Sequence, residues 1–327
     1  MKTRFRFLVI FALFILIFAG CSNEQAGSKE DGGSLKGEYI TILTGGSAGV
    51  YYVLGGTLAK LYQEELGAVA TSQSTAASAE NATKLQTGKA EIAFLMGDTA
   101  EDAYNGKDSF KDKGAQKNLR TIAALYPNYL QIAVTKKSGI KTIEDLKGKK
   151  VAVGAPASGT ELSTQRVLEA YGMQYADIRA DYLSFSEGVE GMKNGTVDAV
   201  VISSGLPNSG LLELATTEEI TIVEIEEEKI LHMQADYPSF FPTTIPAGTY
   251  KGQDEDIKTI GVNNVLMTHK DVSEEVVYEL TKALFDHVDK LIDSHKAAEG
   301  IDLKKAQENL PSPLHPGAEK FYKEMNE

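Results

Sequence analysis

Five consecutive residues near the start of the chain, Gly-Gly-Ser-Ala-Gly at 45–49, are compatible with two different chemistries. They match the G-x-S-x-G pattern of a serine-hydrolase elbow, in which the serine is the nucleophile. They also form a glycine turn between a β-type run at 40–44 and an apolar-periodic helix that begins near Val50. Glycines let the backbone approach a ligand, and the N–H groups of a first helical turn bind anions. A nucleophile and an anion-binding loop therefore stand as alternatives.

A second turn of glycine and hydroxyl residues, GAPASGTE at 154–161, also follows a strand and precedes a helix. Ser158 with Glu161 has the spacing of a capping box, and Ser184 with Glu187 repeats it. Ligands of open α/β sheets bind at the carboxyl ends of the strands. We therefore expect the two turns to approach one ligand from opposite sides.

The hydrolase alternative requires Ser47 to act with a histidine and an acidic residue. The elbow follows the first strand of the fold, so no earlier strand–helix loop supplies the second oxyanion N–H. This position favours a binding loop over a nucleophile, and we expect no enzymatic activity. A third alternative is a surface lipoprotein that contacts other proteins and binds no small ligand.

Strands alternate with helical stretches along the whole chain, which is typical of an α/β fold with largely parallel sheets. We predict two lobes joined by a hinge, with the ligand cleft between them. The predicted lobes are 39–133 plus 261–327 for the first and 134–260 for the second, with chain crossings near 126–135 and 258–268.

Two local predictions follow from the same patterns. The apolar stripe over 271–292 predicts one long helix. The runs 119–125 and 131–135 predict two strands, separated by Tyr126-Pro127-Asn128.

The N-terminal segment has the features of a signal peptide. Basic residues precede an apolar run at 7–19, which is short for a membrane span, and Gly20-Cys21 follows. A cysteine at this position resembles a bacterial lipobox, although Phe18 stands where leucine is usual. We predict that 1–20 is removed and that Cys21 carries a lipid anchor.

Residues 21–38 are polar and rich in Gly, Ser and Glu, with Leu35 as their one large apolar residue, so we predict a flexible tether. Cys21 is the only cysteine, which leaves no thiol for a disulfide, a zinc site or a nucleophile. The protein is then expected on the outer face of the cytoplasmic membrane.

The formal charge of −13 argues against a nucleic-acid-binding surface and against a basic membrane-binding patch. No nucleotide-binding P-loop and no metal-binding motif occurs in the sequence, so we expect no cofactor and no metal. An anionic ligand remains compatible with this charge, because surface fields are screened within about 8 Å at physiological salt.

The chain resembles the solute-binding proteins of the TAXI group of TRAP transporters along its whole mature length. Seven pieces carry the resemblance: TGGSAGVYYVLGGTLAK (44–60), TAASAENATKLQTGKAEIAF (75–94), LKGKKVAVGAPASGTE (146–161), NGTVDAVVISSGLP (194–207), IPAGTYKGQ (245–253), VVYELTKALFDH (276–287) and PLHPGAEKFYKE (313–324). The resemblance implies a type II periplasmic-binding-protein fold. It also implies that a small carboxylate or an amino acid such as glutamate is captured and delivered to membrane permease subunits.

Two stretches depart from the pattern of that family. It often has Thr-Gly-Gly-Ser where this chain has Thr-Ala-Ala-Ser at 75–78, and Gln-Ser-Asp where this chain has Met-Gly-Asp at 96–98. Both stretches are expected near the cleft, so a changed ligand preference is expected.

Candidate ligand contacts come from the two turns and from three other strand ends. In the first turn, Ser47 would donate a hydroxyl hydrogen bond, the backbone would offer N–H groups, and Tyr51 would offer a ring or a hydroxyl. Asp98 would accept a ligand amine or cap a helix. The predicted set is Gly46, Ser47, Ala48, Gly49, Val50, Tyr51, Thr75, Ser78, Asn81, Asp98, Ala155, Ser158, Gly159, Thr160, Pro207 and Asn208, with Tyr126, Tyr129, Tyr250 and His232 as weaker candidates.

Overall fold

A computed structural model describes residues 33–326, which form a ten-stranded mixed sheet with helices packed against it. The strands are β1 (Tyr39–Leu43), β2 (Val69–Gln73), β3 (Ile92–Met96), β4 (Leu119–Thr135), β5 (Lys150–Ala152), β6 (Arg179–Asp181), β7 (Ala199–Ser204), β8 (Ile220–Val223), β9 (Phe240–Ile245) and β10 (Ile257–His269). The α-helices are α1 (Val50–Leu66), α2 (Ser78–Gln86), α3 (Gly97–Asn105), α4 (Gly159–Ala170), α5 (Phe185–Lys193), α6 (Ser209–Thr217), α7 (Glu227–Met233), α8 (Glu274–Asp286), α9 (Val288–Ser294) and α10 (Pro316–Met325).

The sheet has two parallel parts joined by antiparallel strands, in the order β2-β1-β3-β10-β4-β7-β5-β6. Strand β1 is parallel to β2 and β3, and β5 is parallel to β6 and β7. Strands β4 and β10 lie antiparallel to their neighbours and connect the two parts. The predicted α/β class is confirmed, because parallel strands require the helical crossovers that the alternating pattern indicated.

The two long strands, β4 and β10, pass from one part of the sheet to the other. The first half of β4 pairs with β10, and its second half pairs with β7 and β8. The prediction of two separate strands at 119–125 and 131–135 is wrong, because β4 continues through Pro127. The proline lies opposite Asn263, next to a register shift at 263–265, and such a bulge lets a strand continue past a residue that lacks an N–H donor.

The predicted long helix over 271–292 is divided into α8 and α9. His287 separates the two helices with φ −127° and ψ 30°, which is not a helical conformation. The first helix also begins later than predicted, because the Ser273 side chain accepts a hydrogen bond from the N–H of Val276. The apolar stripe continues across the break, since Leu284 and Leu291 are buried in the same core cluster. Periodicity alone therefore did not reveal the break.

Part of the predicted tether is folded onto the body of the protein. Leu35 is 3% exposed and joins the core, and its N–H donates to the carbonyl of Leu66. The Ser34 hydroxyl donates to the Glu279 carboxylate. The prediction of a flexible tether is therefore wrong for 33–38, because Leu35 is buried in the core. The predicted signal peptide and Cys21 lie outside the described residues.

Four buried clusters form the core, and each draws mainly on one part of the sheet. Within residues 33–326, no helix has the length and apolarity needed to cross a bilayer.

Adjacent glycines in α1 provide a test of how this helix packs on β1. A Cβ at Gly55 would lie 2.2 Å from Cγ2 of the fully buried Thr44, whereas a Cβ at Gly56 would meet nothing within 4 Å. Both changes to alanine gain the same helix propensity, about 1 kcal/mol. We expect Gly56→Ala to raise the free energy of unfolding by about 0.5–1 kcal/mol, and Gly55→Ala to lower it by about 1–3 kcal/mol through overpacking.

Urea unfolding monitored by circular dichroism measures both variants. Equal stabilities for the two variants would mean that the contact between Gly55 and Thr44 is looser than the structure has it.

Candidate functional site

Four helices begin at one partly open cavity between the two parts of the sheet. Their N-cap residues, Gly49 of α1, Ala77 of α2, Ser158 of α4 and Ser184 of α5, all line it. The helices follow β1, β2, β5 and β6, so the carboxyl ends of these strands bring their connecting turns together. The cavity has a volume of about 80 Å³, measured as the space open to the centre of a water molecule.

The backbone gives the cavity a positive electrostatic character. The first N–H groups of a helix have no partner inside the helix, and the helix dipole adds positive potential there. No side chain caps α1 or α2. Ser158 and Ser184 accept only the N–H of Glu161 and Glu187, in the third position of their helices. The cavity lining contains no Asp, Glu, His, Lys or Arg, so these first-turn N–H groups are its candidate donors for an anion.

A buried polar network lies beside the cavity and joins three strands. The Tyr51 hydroxyl donates to Oδ1 of Asn264, whose Nδ2 donates to the Tyr126 carbonyl at 2.9 Å and to Oδ1 of Asn128 at 2.7 Å. Nδ2 of Asn128 donates in turn to the Ser203 carbonyl at 3.2 Å. Burial raises the pKa of Tyr51, so its hydroxyl stays protonated and remains a donor. The network holds α1, β4, β7 and β10 in fixed relation around the cavity.

Two hydroxyl groups of the cavity lining have no hydrogen-bond partner among residues 33–326. They are Oη of Tyr126 and Oγ of Ser203, on residues that are 0% and 5% exposed. Buried polar groups in folded proteins are nearly always hydrogen-bonded. These two hydroxyls are therefore candidate contacts for a bound molecule.

Most of the predicted contacts from the two glycine turns lie at this cavity. In the first turn the N–H of Gly49 donates to the carbonyl of Gly46 at 3.0 Å, which closes the turn. In the second, Gly159 lies against the opposite part of the sheet, since a Cβ there would be 2.6 Å from Sδ of Met96. The structure brings together Gly46, Gly49, Val50, Tyr51, Thr75, Ser78, Ala155, Ser158, Gly159 and Thr160.

Ser47 and Ala48 are placed differently from the prediction. Ser47 is exposed and does not line the cavity, because the closed turn directs its backbone inward and leaves this side chain outside. The Ala48 carbonyl accepts hydrogen bonds from Nδ2 of Asn208 at 2.9 Å and from Oγ of Ser209 at 3.2 Å. The expected hydroxyl donor of the first turn is therefore not at the cavity.

Asn81, Pro207 and Asn208 also lie outside the cavity. Nδ2 of Asn81 donates to the carbonyls of Thr44 and Phe94, so this side chain stabilises the backbone at the start of the first glycine turn. Oδ1 of Asn208 caps α6. Pro207 lines a separate surface hollow near the chain crossings. Their roles are structural in the described residues, since their polar atoms are used by the protein itself.

Asp98 forms an ion pair with Arg166 and does not face the cavity. Its carboxylate accepts a hydrogen bond from Arg166 of α4 at 2.5 Å, and Asp102 and Asp108 also contact this guanidinium. The guanidinium carbon lies 4.1 Å from the centre of the Tyr237 ring. Asp98 does not line the cavity, so the expectation that it accepts a ligand amine is dropped. The spacing of Asp98 and Asp102 on one face of α3 was the signal that sequence reasoning missed.

Sequence reasoning also missed half of the cavity lining. Ser184 begins a helix with a full capping box, and Ser203-Ser204 end a buried strand, so strand ends followed by hydroxyl residues were a usable signal. Tyr126 was a weaker candidate because it lies at a predicted crossing. The lining residues outside the predicted set are Gly45, Ala76, Ala77, Met96, Tyr126, Asn128, Ser184, Phe185, Ser203 and Ser204.

The histidines have roles that do not involve Ser47. Three of them accept backbone N–H groups at turns through Nδ1, namely His269, His295 and His315. His287 lies 3.8 Å from the Glu65 carboxylate, and His232 is exposed on α7. This arrangement gives no support to a serine–histidine pair at the G-x-S-x-G sequence.

Comparison with solved structures shows the same fold in distant proteins. A protein of Bordetella bronchiseptica RB50 is 17% identical, with 88% of this chain and 98% of that chain covered and a TM-score of 0.57. A periplasmic transporter is 14% identical, with 88% and 93% covered and a TM-score of 0.51. A Listeria monocytogenes protein described as a candidate L-cystine ABC transporter is 16% identical, with 81% and 98% covered and a TM-score of 0.50. These similarities show the two-lobe fold that was predicted.

A family assignment comes from the sequence itself. Residues 42–325 match the NMT1-like family, and this match covers well over half of the chain. The family consists of solute-binding receptors and not of enzymes, which agrees with the binding interpretation of the glycine turn. The chain belongs to the NMT1-like family of periplasmic solute-binding proteins.

Proposed function

We propose that this protein is the extracytoplasmic receptor of a TRAP transporter of the TAXI type, which binds a small carboxylate and delivers it to membrane permease subunits. The observation that carries the proposal is the meeting of four helix N-termini at a cavity without charged side chains. In this proposal the segment 1–20 is removed and Cys21 carries the lipid that anchors the receptor to the membrane.

A carboxylate is the ligand group that fits this cavity. Backbone N–H groups aimed at an anion form charge-assisted hydrogen bonds, which are stronger than neutral ones. Removing a bare anion from water is costly unless such donors replace its hydration. The cavity supplies these donors from two opposite sides, with Val50 and Tyr51 on one side and Gly159 and Thr160 on the other. An anion bound there holds the two sides together.

The size of the cavity favours a small solute. The volume of about 80 Å³ is small for a ligand cavity. The resemblance to the TAXI group implies carboxylates or amino acids such as glutamate. A closed receptor with a short carboxylate matches the space best.

In this proposal an open form of the two lobes admits the solute, and closure traps it between them. In the proposed division, 39–133 plus 261–327 form the first lobe and 134–260 the second, and 33–38 pack with the first. Strands β4 and β10 cross between the lobes and would serve as the hinge. The contact of Gly159 with Met96 and the hydrogen bond from Asn208 to the Ala48 carbonyl then exist only in the closed form.

A buried ion-pair cluster also joins the proposed lobes. We call Arg166 of α4 with Asp98, Asp102 and Asp108 the Arg166 cluster. Arg166, Asp98 and Asp102 are almost fully buried, so three carboxylates share one guanidinium with little access to water. Burial, together with the charges of Asp98 and Asp108, raises the pKa of Asp102 to about 6 against the opposing effect of Arg166. The cluster therefore connects the lobes in a way that depends on pH.

Ligand-induced stabilisation tests the function. We expect three- to five-carbon carboxylates to raise the melting temperature, since a ligand at ~100 times its dissociation constant adds about 2.7 kcal/mol to stability. Differential scanning fluorimetry with a carboxylate panel measures this effect. A chain that none of these carboxylates stabilises would contradict the proposed function and favour the protein-interaction alternative.

Two variants test where the solute binds. Ser47→Ala should leave the affinity unchanged, because this exposed side chain is outside the cavity. Gly159→Ala should weaken binding by roughly tenfold, because the new Cβ would overpack the contact with Met96 at a cost of ~1–3 kcal/mol in the closed form. Gly56→Ala is the matched control, since nothing lies within 4 Å of its new methyl group. Isothermal titration calorimetry with the best carboxylate of the panel gives the affinities. Loss of binding in Ser47→Ala alone would refute this location.

The Arg166 cluster predicts a pH dependence of stability. Because the pKa of Asp102 is raised above its ordinary value of 3.8, the folded state holds more protons than the unfolded state between about pH 4 and pH 6. Asp102 therefore contributes stability below pH 4 that is lost as the pH rises to about 6. We expect the free energy of unfolding of Asp102→Asn to fall less than that of the wild type as the pH rises from about 4 to about 6. Urea unfolding at several pH values measures this difference.

The exposed Asp112 provides the control for this experiment. Asp112→Asn should keep the wild-type pH profile. An Asp102→Asn profile identical to that of the wild type would show that Asp102 does not take up a proton in this range.

A further inference from the structure

The two unpartnered hydroxyls of the cavity, Oη of Tyr126 and Oγ of Ser203, bear on the chemistry of the solute. Other hydroxyls of the lining make hydrogen bonds within the protein. Thr75 donates to the Thr44 carbonyl, and Ser78 accepts from the Met96 N–H. Ser158 and Ser184 cap their helices, and Ser204 accepts from Asn208. Tyr126 and Ser203 carry the hydroxyls of the lining that are fully buried without a partner among residues 33–326, while the Thr160 hydroxyl also has no protein partner.

The protonation state of Tyr126 determines which ligand groups can form a hydrogen bond with its hydroxyl. Burial raises its pKa well above the ordinary value, so the hydroxyl keeps its proton and donates a hydrogen bond. Tyr126 lies on β4 and Ser203 on β7, two neighbouring strands, whereas the helix N-termini lie at the ends of other strands. The lining therefore offers a solute two different kinds of contact, first-turn N–H groups and neutral hydroxyls.

An ammonium group has no counter-charge in this cavity. No aspartate or glutamate lines it, and the nearby Asp98 is paired with Arg166. A buried charge without a partner is strongly unfavourable. An amino acid would bring such a charge into the cavity together with its carboxylate, and the first-turn N–H groups would repel it.

We propose that the solute carries a neutral oxygen, a hydroxyl or a carbonyl, that binds the hydroxyls of Tyr126 and Ser203, and that it carries no ammonium group. This inference rests on the proposed function and narrows it from carboxylates and amino acids to short hydroxy- or oxo-carboxylates. The small volume of the cavity agrees with a solute of this size.

A series of ligands with the same four-carbon chain tests the inference. Butyrate is compared with 2-, 3- and 4-hydroxybutyrate, with 2-oxobutyrate and with 2-, 3- and 4-aminobutyrate, by isothermal titration calorimetry on the purified protein. At least one hydroxybutyrate should bind about five- to tenfold more tightly than butyrate, as one added hydrogen bond predicts. Its amino counterpart should bind more weakly than butyrate.

Variants of Tyr126 and Ser203 test whether their hydroxyls cause the preference for a hydroxybutyrate over butyrate. Tyr126→Phe and Ser203→Ala should each lower the ratio of hydroxybutyrate affinity to butyrate affinity about fivefold. Ser163→Ala is the matched control, because Ser163 is another buried hydroxyl without a partner in the described residues and does not line the cavity. Tyr62→Phe is the control for the tyrosine, since Tyr62 donates to the Leu280 carbonyl away from the site. Both controls should keep the wild-type ranking.

The outcomes separate this inference from the proposed function. The inference is overturned and the carboxylate receptor stands under any of three results. Butyrate binds but no hydroxybutyrate or oxobutyrate binds better, an aminobutyrate binds best, or the preference persists when Tyr126→Phe and Ser203→Ala are combined. If no carboxylate of the series binds, the proposed function itself fails.

Discussion

The N–H groups of first helical turns are the constraint on which this structure depends. These donors have no partner within their own helices, so they are available to a ligand at the cavity. Four helices begin at the same cavity, and two of them begin without a side-chain cap. Because the lining lacks charged side chains, the proposed anion site relies on the backbone for its attraction.

The topology of the sheet makes this convergence possible. Parallel strands end at the same edge, so the turns after β1, β2, β5 and β6 come together when the two parts of the sheet face each other. Strands β4 and β10 connect these parts. Asn264 of β10 forms hydrogen bonds with the Tyr51 hydroxyl of α1 and with the Tyr126 carbonyl of β4. Glycine is needed where the turns approach closely, and Gly159 against Met96 is the clearest case.

Sequence patterns predicted the fold class, the two glycine turns and ten of the residues that line the cavity. Local spacing reveals turns and caps, because these depend on residues close in the chain. It does not reveal which way one side chain of a turn points, and so Ser47 was assigned to the cavity although it is exposed. It also does not reveal partners from distant segments, such as Arg166 for Asp98, or the strand pairing that brings Tyr126 and Ser203 to the cavity.

The most direct test of the central claim is an NMR titration that follows backbone amides during carboxylate binding. If first-turn N–H groups hold the anion, the amide protons of Val50, Tyr51, Gly159 and Thr160 will shift downfield with a short carboxylate and not with the corresponding neutral amide. If these protons do not move while the carboxylate binds, or if the shifts lie around an arginine side chain, the account of a backbone anion site is contradicted.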